Sequence, residues 1–238
     1  MNIGIDGCRS GWCVCLLGSD TKEVKLYLTI AEVFDDHPEA ERVFIDIPMG
    51  LSDKDFHRTI DSEIRVLLKP YKHQSVFTPP CREALDVAGY REALSINRNI
   101  TGKGISIQSW NLSPKIRELD LLLHNQPLLR DKIYESHPET CFYFLNREKV
   151  ITSSKKTEEG IKDRLHLLNE FEPETEDVFK QAMKAYQRKE MAADDIVDAL
   201  CLSVSATLSG KLGIHLIRDR ANTDSHHIPL RIAAAKPF

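Results

Sequence analysis

The sequence predicts an α/β protein with a mixed, five-stranded sheet, flanking helices and a helical insertion over about residues 52–125. Two observations lead to this fold class. Short apolar runs separated by tight turns begin the chain, which indicates strands joined as an antiparallel meander. A helical run then separates the third strand from the fourth, so the fourth can return beside the first by a right-handed crossover. We expect all 238 residues to form a single domain.

The first three strands are predicted from alternation and turn residues. They cover residues 2–7, 12–17 and 24–28, with turns at residues 7–11 and 18–20. In the first strand, Ile3 and Ile5 share one face, which leaves Gly4 and Asp6 on the other. Loops this short join antiparallel neighbours, so these strands form the meander.

The fourth strand brings a second aspartate next to the first. Thr29 is a suitable N-cap for a short helix over residues 30–36, and an apolar strand follows over residues 43–47. If that strand lies parallel to the first, Asp6 and Asp46 are neighbours. Two carboxylates this close share either a proton or a cation. Each aspartate alone could instead accept hydrogen bonds from the turn that follows its strand.

The rest of the chain is mainly helical. Helices are predicted at residues 59–68, 81–95, 113–123, 140–146, 158–169 and 191–208, strands at residues 133–136 and 214–217, and an acidic connection at residues 170–177. The run at residues 191–208 has the clearest helical periodicity, and it carries Asp195 and Asp198 one turn apart. Like charges in this position destabilise a helix, so the pair requires compensation beyond the helix dipole.

Four aspartates together predict a site for divalent metal ions. They are Asp6, Asp46, Asp195 and Asp198. A carboxylate among apolar residues costs several kcal/mol of desolvation unless a positive group meets it, so we expect these groups to share a cation. Ligands made only of oxygen select Mg²⁺ or Mn²⁺, and a pair of such ions promotes phosphodiester hydrolysis. A lysine or arginine that already neutralises the aspartates, or a large distance between Asp6 and Asp195, would overturn this interpretation and leave only the predicted architecture.

Charge limits the kind of partner. The formal net charge of −4 argues against a protein that holds nucleic acid or anionic lipid by its overall charge. Residues 53–117, however, carry 11 Lys or Arg and 7 Asp or Glu, so the insertion is the basic part of an acidic protein. That basic surface is either a solvated face or a cap that neutralises the phosphates of a substrate.

Cysteine usage and hydropathy indicate a cytoplasmic protein. The 6 cysteines lack the spacing of a disulfide framework and lie mostly among apolar residues, so we expect them to be reduced core residues. The N-terminus has no basic start, and no apolar run approaches the roughly 18 residues that a membrane helix needs. We therefore expect no membrane partner, while a homo-oligomer is left open.

Six blocks of the sequence carry a resemblance to a known family. They are GIDGCRSGW at residues 4–12, IDIPMGL at 45–51, VFTPPCR at 76–82, TGKGISIQSW at 101–110, ESHPE at 135–139 and DDIVDA at 194–199. These blocks resemble the signature blocks of a bacterial and archaeal family of unknown function, domain of unknown function 429. That family is classed as a predicted nuclease of the RNase-H-like fold, and the blocks span nearly the whole chain in the expected order.

The resemblance implies an RNase-H-like core, similar also to that of Holliday-junction resolvases, with a two-metal nuclease site. In such enzymes the metals are bound by acids of the first strand, the fourth strand and the last helix, which here are Asp6, Asp46, Asp195 and Asp198. Asp46 departs from this pattern, because it lies inside its predicted strand rather than at its end. Glu135 and Glu139 are therefore candidates for a substitute ligand or a catalytic acid.

Further candidates come from turns and loops. His137 is a candidate proton shuttle, although a histidine in such a turn can simply fix the loop. The candidates for contacts with substrate phosphates are Arg9, Arg82, Lys103 and Lys156, and the alternative is that these side chains are only solvated. The expected partner is a nucleic acid or nucleotide substrate. The rival function is a non-catalytic protein that keeps the fold and binds nucleic acid or a nucleotide without a divalent ion.

Overall fold

Seven β-strands form one mixed sheet in the part of the chain that the computed structural model describes, residues 1–18 and 21–238. They are β1 (Asn2–Cys8), β2 (Gly11–Leu17), β3 (Lys22–Tyr27), β4 (Arg42–Ile45), β5 (Ile133–Glu135), β6 (His215–Thr223) and β7 (Pro229–Ala234). Their order across the sheet is β3-β2-β1-β4-β5-β7-β6. The predicted turn at residues 18–20 includes Ser19 and Asp20, which lie outside the described residues.

The predicted number of five strands is wrong, because β6 and β7 of the tail also belong to the sheet. The sequence predicts only a short strand at residues 214–217 there. Most side chains of β6 are half-buried or exposed, and the strand includes the charged pair Arg218 and Asp219. β7 begins with Pro229 and ends in alanines, and these residue types have low strand propensity. β6 therefore lacks the apolar alternation by which a strand is recognised, and in β7 this alternation is limited to Leu230 and Ile232.

The first four strands have the predicted topology. β1 pairs antiparallel with β2, and β2 pairs antiparallel with β3, as expected for a meander. β4 lies parallel to β1, with Ile5 opposite Ile45, so the chain does cross over between β3 and β4. β5 continues the sheet parallel to β4. Every residue of β2 is buried, which accounts for the continuous apolar run in its sequence.

Nine α-helices occur in the described residues. They are α1 (Ile30–Asp36), α2 (Ile60–Leu67), α3 (Tyr90–Thr101), α4 (Ile107–Asn111), α5 (Ser113–Asn125), α6 (Pro138–Leu145), α7 (Glu158–Phe171), α8 (Thr175–Ala185) and α9 (Ala193–Leu212). Thr29 caps α1 as predicted, because its hydroxyl accepts the N–H of Glu32. The predicted helix at residues 81–95 is wrong, since a short 3-10 helix and Gly89 precede α3. α8 begins inside the predicted acidic connection, because acidic residues are favourable in the first turn of a helix.

The chain divides into two compact units. The first comprises Met1–Asp46, Asp131–Leu216 and Ala233–Phe238, and it contains β1 to β5 with helices α1 and α6 to α9. The second comprises Ile47–Arg130 and Ile217–Ile232, and it contains α2 to α5. β6 and β7 contribute residues to both units. The predicted insertion over about residues 52–125 lies within the second unit, while the expectation of a single domain stays a prediction.

The cysteines are part of the apolar interior. All six are buried and none forms a disulfide, which confirms the expectation of reduced core residues. Cys81 belongs to the second unit and the other five to the first. The apolar residues are not collected into a membrane span, since no helix in the described part of the chain is both long enough and apolar enough to cross a bilayer.

Candidate functional site

The close approach of α9 to β1 positions the site, and Gly4 makes that approach possible. A Cβ on Gly4 would lie 2.2 Å from the carbonyl oxygen of Ala199 and 2.2 Å from the backbone nitrogen of Ser203. The hydroxyl of Ser203 also donates to the carbonyl oxygen of Asn2 at 3.4 Å, so β1 and α9 run in opposite directions. Strand residues two apart share a face, so Asp6 faces α9 as well, nearer to the start of the helix.

Asp6 and Asp46 lie side by side, as the predicted crossover requires. β4 runs parallel to β1, and the N–H of Asp46 donates to the carbonyl oxygen of Ile5 at 2.9 Å. β4 ends at Ile45, so the expectation that Asp46 lies inside its strand is wrong. The carboxylate of Asp6 accepts the N–H of Gly7 at 2.8 Å, which satisfies only one of its lone pairs.

Burial and repulsion keep protons on these acids. Burial and the charge of Asp198 together raise the pKa of Asp46 to about 8, against the opposing effect of the ammonium group of Lys155. Burial also raises the pKa of Asp6 well above its ordinary value, with further contributions from the carboxylates of Asp46, Asp198 and Asp195. Groups from β1, the residue after β4 and helix α9 therefore act on one another electrostatically. We call Asp6, Asp46, Asp195 and Asp198 the acidic cluster.

The two acids of α9 differ in their surroundings. Asp195 is half-buried, and its Oδ2 accepts the N–H of Ala192 at 2.9 Å, which satisfies a backbone donor at the start of the helix. Burial raises the pKa of Asp195 to about 6. Asp198 is fully buried, and its Oδ2 accepts a hydrogen bond from the ammonium group of Lys155. Its other oxygen, Oδ1, has no hydrogen-bond partner among the described residues, which is unfavourable for a buried carboxylate.

Lys155 is the functional candidate that the sequence analysis missed. Its side chain is 34% exposed and pairs with the buried carboxylate of Asp198. Burial alone would lower the pKa of Lys155, but the carboxylates of Asp198 and Asp6 hold it above its ordinary value. The contact with a substrate phosphate is predicted instead for the neighbouring Lys156, which is exposed. Helix α7 packs tightly on this loop, since a Cβ on Gly160 would lie 2.0 Å from the carbonyl oxygen of Ser154.

A buried arginine holds the loop that carries Lys155. Arg164 of α7 is fully buried, and its Nη2 donates to Oε1 of Glu139 at 2.7 Å. The Nη1 group of the same guanidinium donates to the carbonyl oxygens of Ser153 at 3.2 Å and Gly160 at 3.0 Å. Glu139 therefore has a cationic partner of its own and joins α6 to this loop. Its predicted catalytic role stays a prediction, and the geometry gives it a positioning role.

Glu135 and His137 lie near the end of β5. Glu135 is buried and pairs in register with Ile45, and its charge contributes to the raised pKa of Asp46. It is therefore electrostatically connected to the acidic cluster. His137 is half-buried and is the N-cap residue of α6, with its Nδ1 3.5 Å from the hydroxyl of Thr140. Neither the ligand role of Glu135 nor the proton-shuttle role of His137 is tested by this geometry.

The predicted phosphate contacts are divided between the two units. Arg9, in the turn between β1 and β2, and Lys156 are exposed residues of the first unit. Lys103 is an exposed residue of the second unit. Arg82, also in the second unit, donates to the carboxylate of Asp120 at 3.0 and 2.9 Å.

Arg82 also pairs with Asp53 and Asp224, which belong to the same unit. Three carboxylates therefore compensate its charge. The guanidinium joins segments of the second unit that are far apart in the sequence, so a structural role accounts for it. A contact between Arg82 and a substrate phosphate stays a prediction.

The acidic cluster has the chemistry of a metal site but not the arrangement of one. No group of three or more His, Cys, Asp or Glu side chains is positioned to hold a metal ion in residues 1–18 and 21–238. The ammonium group of Lys155 lies at Asp198, and the remaining acids repel one another. Ligand atoms with like charge separate unless a cation draws them together. The donor set, made only of carboxylate oxygens, still fits Mg²⁺ or Mn²⁺.

Comparison with known proteins identifies a family but no activity. The family model described as "Protein of unknown function (DUF429)" matches residues 4–216, which is most of the chain. No curated protein and no solved structure matches the sequence. The matched region contains the whole acidic cluster together with Lys155 and Arg164.

Proposed function

This chain belongs to DUF429, a protein family of unknown function, and we propose that it is a nuclease that hydrolyses phosphodiester bonds with the help of Mg²⁺ or Mn²⁺. The substrate is a nucleic acid or a nucleotide. We also propose that the sheet is RNase-H-like, because the antiparallel strands β3, β2 and β1 are followed by the parallel strands β4 and β5. β7 and β6 extend this order on one side.

One observation carries the proposal: the four carboxyl groups of the acidic cluster, from β1, the residue after β4 and helix α9, act electrostatically on one another and on the ammonium group of Lys155. This ammonium group pairs with Asp198 and cannot neutralise all four acids. Burial and the mutual repulsion of the carboxyl groups raise the pKa values of Asp6 and Asp46, so ionisation of all four acids is favoured only when a further cation is present.

A hard divalent cation fits the donor atoms that are present. All of them are carboxylate oxygens, and the buried Oδ1 of Asp198 has no other partner among the described residues. The ligands would be Asp6, Asp46 and Asp198. Asp195 and Glu135 are further candidates, because their charges act on Asp6 and Asp46. A bound ion of this kind supplies positive charge to the phosphate group as negative charge develops on it.

The surrounding side chains have separate tasks in this proposal. Lys155 holds Asp198 in one orientation, and Arg164 holds the loop of Lys155 through the carbonyl oxygen of Ser153. Glu139 fixes Arg164 and is thus a positioning residue. His137, half-buried at the start of α6, is the candidate for moving a proton to or from a reacting oxygen, because imidazole exchanges protons near neutral pH.

The ion pair of Lys155 with Asp198 favours a second candidate function. An ammonium group beside the buried acid provides part of the positive charge that a metal ion would provide. A protein stabilised in this way has no need of a metal for folding. The alternative is therefore a non-catalytic protein that binds nucleic acid or a nucleotide. Such a protein would bind equally well in the presence of a chelator and would not depend on Asp6.

Hydrolysis of labelled oligonucleotides tests the proposal directly. Single-stranded and duplex DNA, RNA and a branched junction are incubated with the protein and Mg²⁺ or Mn²⁺. We expect cleavage of at least one substrate, and a loss of about 100-fold or more in rate for Asp6→Asn and for Asp198→Asn, because each removes a metal ligand. Asp35→Asn is the matched control, since Asp35 is an exposed acid of α1 in the same unit and should change nothing.

Two outcomes would contradict the nuclease proposal. The first is cleavage that survives both Asp6→Asn and Asp198→Asn, which would indicate a contaminating nuclease or another site. The second is binding of an oligonucleotide in EDTA with unchanged affinity in Asp6→Asn and no cleavage of any substrate, which would support the non-catalytic alternative. Thermal unfolding of each variant establishes that the substitutions leave the fold intact.

A further inference from the structure

The second unit contains a cavity of about 170 Å³ that the acidic cluster does not use. No acidic side chain is among its lining residues in the described part of the chain, and the residues relevant here are Ser52, His57, Arg58, Thr78, Asn97 and Lys103. Arg58 is paired with Asp61 at 2.7 Å, so its charge is already compensated. The positive charge available to a ligand therefore comes from Lys103.

A buried asparagine fixes the loop that carries Lys103 on one side of the cavity. Asn97 of α3 is 3% exposed, and its Nδ2 donates to the carbonyl oxygen of Lys103 at 2.9 Å and to the hydroxyl of Thr101 at 3.2 Å. Its Oδ1 accepts the N–H of Cys81 at 2.7 Å. α3 ends at Gly102 in the left-handed conformation, with φ of 70°, which turns the chain toward Lys103. The backbone of this loop is therefore fixed from inside the unit.

Two hydroxyl groups of the cavity keep their hydrogens for a ligand. The hydroxyl of Ser52 accepts the N–H of Arg58 at 2.9 Å, and Ser52 is itself buried. The hydroxyl of Thr78 accepts a hydrogen bond from Arg65 at 2.9 Å. Neither hydroxyl has an acceptor for its own hydrogen among the described residues. Lys103 likewise forms no ion pair with any residue that the structure describes. The cavity thus offers donors and a cation, while the carboxylates bonded to its lining residues, those of Asp61 and Asp219, are engaged by Arg58 and Thr59.

We infer that this cavity binds one phosphate group. Donors that surround a small space select an oxyanion, since each oxygen of phosphate accepts strong hydrogen bonds. A volume of about 170 Å³ equals roughly five or six water molecules. It is below the roughly 300 Å³ at which pockets for organic ligands begin, so it suits a single phosphate rather than a whole nucleotide. The phosphate belongs either to a small ester or to a nucleic-acid backbone.

Binding of inorganic phosphate to the metal-free protein tests the inference. In EDTA, calorimetric titration of wild type should show saturable binding, and Lys103→Met should weaken it about tenfold or more, because a charged hydrogen bond is lost. Lys54→Met is the matched control: Lys54 is an exposed lysine of the same unit that does not line the cavity. Lys103→Arg should retain most of the affinity. Thr78→Val should weaken binding, whereas Thr78→Ser should not.

Several outcomes would overturn the inference. They are the absence of phosphate binding to wild type, an equal loss in Lys103→Met and Lys54→Met, and full affinity in Thr78→Val that is shown to be folded. Two probes distinguish the sources of phosphate: a 5′-mononucleotide carries a terminal phosphate ester, and an oligonucleotide without terminal phosphates carries only backbone phosphates. Binding of either probe that Lys103→Met weakens as much as it weakens the binding of inorganic phosphate supports the site. Asp6→Asn should bind phosphate like wild type, so failure of the nuclease proposal leaves this result unaffected.

Discussion

Individual carboxyl groups in the acidic cluster hold protons at pH values at which exposed aspartates are ionised. Burial and the charge of Asp198 raise the pKa of Asp46 to about 8, whereas the same group in the unfolded chain has a pKa of about 3.9. Between these two values the folded protein binds more protons than the unfolded chain. The free energy of unfolding of the metal-free protein therefore decreases as the pH rises through that window.

Asp46→Asn removes this titration. We expect it to stabilise the metal-free protein more at pH 8 than at pH 5, by about 2 kcal/mol or more, because the variant no longer ionises a buried group. Urea unfolding in EDTA at both pH values measures the difference. Asp35→Asn, on an exposed surface of α1, should shift stability equally at both pH values. An equal effect of Asp46→Asn at the two pH values would show that ionisation of Asp46 does not destabilise the folded protein.

The acids of the site could be predicted from the sequence, but their cation could not. An aspartate in an apolar strand is visible as a conflict between residue type and surroundings, and this conflict identifies Asp6 and Asp46. Lys155 and Lys156 stand together in a polar loop, and nothing in their residue type distinguishes them. Which of the two faces the acids depends on the backbone conformation of the loop. That conformation is set in part by Arg164, whose buried position is also unexpected for a charged residue.

Helix α9 and strand β1 form the element pair on which the site depends. The tight contact at Gly4 brings the start of α9 over the strand, so that acids of both elements interact. This contact leaves no room for a side chain. A small change at Gly4 therefore tests how the element pair positions the acidic cluster.

We expect Gly4→Ala to destabilise the protein by about 3 kcal/mol, because the added methyl group overlaps backbone atoms of α9 that cannot move independently. Urea unfolding measures this loss. Gly104→Ala is the control, since its Cβ would make only an ordinary contact, at 3.7 Å from a side-chain atom of Leu94, and should change stability by less than about 1 kcal/mol. A similar small effect at both positions would mean that α9 adjusts freely.

Elements with strong local signals were predictable, and elements defined by tertiary packing were not. The meander and α9 have clear apolar patterns, and Thr29 marks the start of α1. β6 and β7 are strands because they extend an existing sheet, while their own sequences are polar or rich in alanine. The start of α8 is predicted as a connection, because its acidic composition resembles that of a loop. Tertiary context therefore decided the elements that the sequence analysis missed.

At the scale of the whole molecule, a bound cation should change the stability of the fold. A ligand that binds only the folded state stabilises it by about 2.7 kcal/mol at a concentration about 100 times its dissociation constant. For a chain of this size, that corresponds to an increase in Tm of about 5–10 °C. We expect Mg²⁺ or Mn²⁺ to produce such an increase in wild type and not in Asp6→Asn, as measured by thermal unfolding.

Lys155→Met refines this prediction. Without metal, the free energy of unfolding of the variant should be lower than that of wild type by about 2 kcal/mol, because Asp198 loses its ion pair. This loss is smaller than for a fully buried pair, since Lys155 is partly exposed. With Mg²⁺ the variant should gain more stability than wild type does, since no ammonium group competes for Asp198. An unchanged Tm in both proteins at high Mg²⁺ concentration would argue against a metal site.

The anchoring of the Lys155 loop by Arg164 also has a kinetic consequence. The guanidinium is bonded to the main chain at both Ser153 and Gly160, so the loop is held in place and release of Asp198 requires only the side chain of Lys155 to move. Rotation of a partly exposed side chain takes picoseconds to nanoseconds, whereas loop motions extend to microseconds. The rate at which an incoming Mg²⁺ ion replaces the ammonium group at Asp198 would then be limited by the slow loss of water from the hydrated ion and not by motion of the loop.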